Sequence, residues 1–155
     1  MRESAQSTNA TVDASAFFGI LTVYLEAFAE HDPVHRCELL ACCLTADREI
    51  WGPNRMFVGY TAISEKIAAF HVNWPNCRLV LATGITTFEN VVRLGNAIVG
   101  PDGSVRARGQ TMFALAPDGR IRRVIPFWDA QLPSLPEAWP AHFSVPITCE
   151  GHDAA

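Results

Sequence analysis

The chain has 155 residues, of which 49% are hydrophobic, enough for one domain with a sizeable core. A net charge of -4 with scattered basic residues excludes the electrostatic footprint of a nucleic-acid or anionic-membrane partner. No apolar run approaches the roughly 20 residues that a membrane-spanning helix needs.

Residues 1–14, within "MRESAQSTNATVDAS", have no apolar run behind their single arginine, so a disordered leader is expected rather than a signal peptide. In "DASAFFGILTVYLEAFAEHD", Asp13 or Ser15 can cap a first helix. Phe17, Leu21, Tyr24 and Phe28 recur at helical spacing along it. His31-Asp32-Pro33 ends it, because proline disfavours helix in the residue before it. "VHRCELLACCLTAD" reads as a second helix, and "REIWG" as a short strand ending at Gly52-Pro53. "YTAISEKIAAFHVNW" reads as a third helix, with Ile63, Ile67, Phe70 or His71, and Trp74 on one face.

Four strands follow: "CRLVLATGITTFE", "VVRLGNAIVG", "VRARGQTMFALA" and "RIRRVIPFWD". Their connectors are Glu89-Asn90 and two Pro-Asp-Gly turns, at Pro101-Asp102-Gly103 and Pro117-Asp118-Gly119. Strands joined so tightly form an antiparallel meander. The alternation of Arg120, Arg122 and Arg123 with apolar residues marks the wet face of a strand rather than a phosphate site. Residues 131–155 hold prolines at 133, 136, 140 and 146, so they read as an extended tail over the body or over a partner subunit. The five cysteines, at 37, 42, 43, 77 and 149, show no metal-ligand spacing, and neither do the histidines. Neither metal nor cofactor is expected, and the odd thiol count fits a reduced, cytoplasmic protein.

The pieces "YLEAFAEHD", "WGP", "GYTAISEKI", "RGQTMFALAPDGRI" and "IPFWD", in this order between Phe17 and Asp129, resemble the nuclear transport factor 2-like fold. Within it the chain is similar to the SnoaL-like and ketosteroid isomerase-like group. The resemblance implies an α+β fold: three helices packed on a strongly curved, mostly antiparallel sheet that forms a cone-shaped barrel over 15–130. It also implies a small apolar ligand in the open end of the cone and a homodimer through the outer sheet face. Tyr24 matches the tyrosine that donates a hydrogen bond to the substrate oxygen in ketosteroid isomerases. Gly52, before Pro53, stands where the family's aspartate base stands. Thr111 stands where its protonated aspartic acid donor stands. Pro126 matches an acid of related epoxide hydrolases. The family's acids are thus absent at every matched position.

On the residues themselves, Tyr24 is either a donor to a developing oxyanion or a core tyrosine. His71, one turn after Ile67, is either the proton carrier of the cone or a half-wet residue at a helix end. Asn96 and Thr111 sit among apolar neighbours, and each either orients a ligand or satisfies a neighbouring strand. Asp129 is either a displaced acid/base or a turn cap. Phe28, Ile50, Gly52, Ile67, Trp74, Phe113, Pro126 and Trp128 are expected to line the pocket, with Tyr24, His71, Asn96 and Thr111 as its polar points. Gly52 is expected to open space for a bulky ring, and Arg93 to lie on the dimer surface. A pocket without a carboxylate, neutral apart from His71, should prefer a neutral, flat, apolar ligand with one or two oxygens.

Three functions stay open. One is a cofactor-free isomerase, dehydratase or cyclase acting on a cyclic or polyketide-like compound, with Tyr24 and His71 as its catalytic pair. The others are a binding protein for such a ligand and a dimeric accessory subunit.

Overall fold

The computed structural model describes residues 12–129; the tail and residues 1–11 of the leader lie outside them. The elements in chain order are α1 (Ala14–Ala29), α2 (Pro33–Cys43), β1 (Leu44–Trp51), β2 (Met56–Val58), α3 (Tyr60–Asn73), β3 (Arg78–Phe88), β4 (Val91–Val99), β5 (Val105–Leu115) and β6 (Ile121–Trp128). Asp13 caps α1 by accepting from the backbone amides of Ser15 and Ala16. Asp32 caps α2 by accepting from Val34, with Pro33 in the first turn, where its missing N–H costs nothing. The segment that stops the first helix therefore starts the second. Gly59 precedes α3 at φ 91, a conformation that residues with a side chain rarely adopt.

The six strands form one sheet in the order β2-β1-β6-β5-β4-β3. β3, β4, β5 and β6 make the expected antiparallel meander, while β1 joins β6 in parallel. Both tight turns place glycine at positive φ, 79 at Gly103 and 86 at Gly119. The sheet is curved and mixed, and it does not close on itself: β2 and β3 are its two edges. The fold is thus the expected α+β arrangement, with the cone left open along one side.

Two elements differ from the sequence reading. Leu44 to Asp47 were expected to be helical but belong to β1, because Leu44 pairs with Ile121 of β6. A register shift between Leu44 and Glu49 accommodates Arg48, whose side chain turns inward. Its guanidinium donates to the Thr45 and Ala46 carbonyls and lies over the Tyr60 ring. The second difference is β2, three residues long and too short to show alternation; it pairs with Glu49 to Trp51 of β1.

The core lies between the helices and the concave face of the sheet. Phe17, Leu21, Tyr24 and Phe28 of α1 meet Leu40 and Cys43 of α2, Ile63 and Ile67 of α3, and Val92, Phe113 and Val124 of the sheet. Phe17 and Tyr24 both meet the Phe113 ring edge-on, at centroid distances of 5.6 Å. Among the described residues no helix is long and apolar enough to cross a membrane.

Candidate functional site

A cavity of about 500 Å³ opens between α1, α3 and the concave sheet face. Tyr24 and Phe28 reach it from α1 and Ile50 from β1, with Pro53 just beyond that strand. Asn96 reaches it from β4, Thr111 and Phe113 from β5, and Pro126 and Trp128 from β6. Strand alternation explains the sheet contribution: Val124, Pro126 and Trp128 are two apart and share one face. Neighbouring strands supply the rest in register, since Thr111 is opposite both Leu94 and Pro126.

Three expected polar points meet in this cavity. Tyr24 is only 4% exposed, and its hydroxyl has no hydrogen-bond partner among the described residues. Burial, with a smaller contribution from the nearby Cys43 thiol, pushes its pKa far above the usual tyrosine range. The phenol therefore stays protonated and can act only as a neutral donor or acceptor. The Thr111 hydroxyl donates to Asn96 Oδ1 at 3.0 Å across β4 and β5. That bond occupies the amide oxygen of Asn96 and leaves its NH₂ donors without a partner among the described residues.

Other expectations fail on geometry. His71 does not line the cavity: its Nε2 lies 2.7 Å from the Phe28 carbonyl oxygen, and its ring stacks on His31 at 4.1 Å. Ile67 is fully buried in the core and also misses the cavity. Gly52 does not open the pocket either. A side chain there would meet the Arg55 carbonyl and the Phe57 ring, each at 3.1 Å from its Cβ. Asp129 is exposed on the other side of the sheet, where it borders a groove with Arg93, Arg108 and Gln110.

The rotation of α3 explains both His71 and Ile67. Ile63, Ile67 and His71 are four apart and turn toward the other helices. The cavity face is instead Lys66, Ala69, Phe70, Asn73 and Trp74, spaced by three and four. Trp74 was legible in sequence, Phe70 only as the alternative to His71, and Lys66 was missed. The available signal was its place one turn before Phe70 and two before Trp74.

The cavity is thus not free of charge. Lys66 and Arg106 line it, and no Asp or Glu does so among the described residues. Burial pulls the Lys66 pKa below the ordinary lysine range. Cys43, completely buried with its thiol directed at the Leu40 carbonyl, is pushed up to about 12 and is no nucleophile. No group of three or more His, Cys, Asp or Glu could hold a metal among the described residues.

No family model matches the sequence, and no curated protein does. Solved structures do match. A provisional isomerase of the SnoaL-like family from Agrobacterium tumefaciens is 28% identical, with a TM-score of 0.67, over 74% of this chain and 98% of that one. A provisional SnoaL-like polyketide cyclase from Jannaschia sp. CCS1 is 16% identical, with a TM-score of 0.61, over 76% of this chain and 88% of that one. A provisional ketosteroid isomerase from Kribbella flavida is 17% identical, with a TM-score of 0.53, over 89% of this chain and 94% of that one. These likenesses support the nuclear transport factor 2-like superfamily, and the chain carries its fold.

Proposed function

We propose that the cavity binds a small, flat, largely apolar molecule and that the chain moves a proton on it without a cofactor, as an isomerase, dehydratase or cyclase does. The observation that carries this reading is the pair of unoccupied donors that line one largely apolar cavity, the Tyr24 hydroxyl from α1 and the Asn96 amide from β4. Each can hold an oxygen on which negative charge develops as the proton passes to a water in the cavity. The names of the SnoaL-like structures, an isomerase and a cyclase, point the same way.

A second reading, binding without turnover, is favoured by the absence of a carboxylate among the described lining residues and by the engagement of His71 with Phe28. The two readings separate with 2-tetralone, a flat ketone with exchangeable α-protons. Its binding is followed by quenching of Trp74 and Trp128, both in the cavity wall. Its proton exchange with D₂O is followed by NMR. The catalytic reading expects exchange faster than in buffer, with Tyr24→Phe lowering that rate on the order of 100-fold. Binding without acceleration leaves the carrier reading in place. Failure to bind removes both.

The assembly that fits is a homodimer through the outer sheet face. Phe88 and Phe127 stand exposed there, at 74% and 50%, on strands whose opposite face is the cavity wall. Ala97, by contrast, is already buried within the chain and adds nothing to that face. Sedimentation at micromolar concentration is the check; a monomer would remove the proposal.

A further inference from the structure

The chain has twelve basic residues, and eleven of them are arginine. Its single lysine is Lys66, on the cavity wall. Arg106, the other cation there, already pairs with Asp102 at 3.1 Å. Lys66 pairs with no acid among the described residues. Its Nζ lies 5.5 Å from the centroid of the Phe57 ring, a weak contact at the outer limit of such attractions. An ammonium half withdrawn from water without a counter-charge is unfavourable, and burial depresses the Lys66 pKa accordingly. Of the other described cations without an ion pair, Arg55, Arg78, Arg93 and Arg108 are exposed and remain hydrated, while Arg36 and Arg48 are buried away from the cavity and donate to backbone carbonyls. Lys66 is therefore the described half-buried cation that a ligand could complete.

We infer that Lys66 is a ligand-binding residue and that the cavity takes an apolar ring system carrying one anionic oxygen group, such as a carboxylate or an acidic enol. This inference rests on the cavity reading above and replaces the expected neutral ligand with an anion. The apolar body lies against Phe28, Phe70, Trp74 and Trp128, and the anionic oxygen meets Lys66. Lysine suits this role as a compact point charge on a flexible stem, able to follow one oxygen.

The test compares two probes of similar size, 2-naphthoate and the neutral 2-acetonaphthone, by tryptophan quenching. Wild-type protein is expected to bind the carboxylate about tenfold more tightly, the scale of one charge-assisted hydrogen bond. Lys66→Met should abolish that preference and leave the ketone affinity within about twofold, while Lys66→Arg should keep most of it. Because the chain holds one lysine, protein labelled with ¹³C-lysine gives one ε-methylene signal. That signal should move with naphthoate and stay with the ketone. The inference is overturned if the ketone binds but naphthoate binds no better, or if Lys66→Met binds naphthoate as wild type does. If neither probe binds, the cavity reading falls and this inference falls with it.

Discussion

Thr111 and Asn96 decide what a polar residue in this cavity is worth. Each is only 6% exposed, and together they form a buried hydrogen bond between strands. Thr111→Val should cost about 1–3 kcal/mol in denaturant unfolding, since it strands the Asn96 oxygen. Replacing both residues by apolar ones should cost less than the sum of the single changes. His71 makes the contrasting case. His71→Ala should lower stability by about 1 kcal/mol through the lost contact with the Phe28 carbonyl. It should leave 2-tetralone binding unchanged; a loss of binding would return His71 to the site. Tyr24, Asn96 and Thr111 were legible because each breaks an apolar stripe or alternation that the core dictates. Lys66 was not, because a lysine beside Glu65 looks like any solvated helix charge until the rotation of the helix is known.

At the scale of elements, what the sequence showed well was what local chemistry controls. Both Pro-Asp-Gly turns and the four late strands emerge where turn residues and alternation place them. The start of β1 did not, because pairing with β6 overrides a locally helical spacing. The face of α3 was misread by one residue, about a quarter turn, which exchanged His71 for Phe70 on the cavity side. Caps give a direct test at this scale. Asp32→Ala removes the acceptor for the Val34 amide and should lower stability by about 1 kcal/mol. Asp32→Asn should recover most of that loss, and calorimetry would show it.

Across the whole molecule, five described carboxylates titrate below their usual range. The Asp32 amide, and then His35, holds Glu30 down; Arg123 does so for Glu49, and the Thr45 hydroxyl for Asp47. Ser104 and Arg120 do the same for Asp102 and Asp118. A lowered carboxylate stabilises the fold above its unfolded pKa, and the gain is lost as pH falls through the folded one. The melting temperature should therefore hold from about pH 7 to about pH 5 and fall by about pH 3. Asp47, Asp102 and Asp118 are exposed and Glu30 and Glu49 only half-buried, so the decline should be gradual and partly suppressed by salt. The parallel pairing of β1 with β6 has a further consequence, one of timing. Ile50 and Val124 are partners in that pairing and both line the cavity, and the neighbouring Glu49–Arg123 ion pair spans 74 positions of chain. On the ribosome, the helices and the first meander strands emerge while the cavity still lacks this wall. A nascent chain can acquire its ligand only after nearly all of the described sequence has left the exit tunnel.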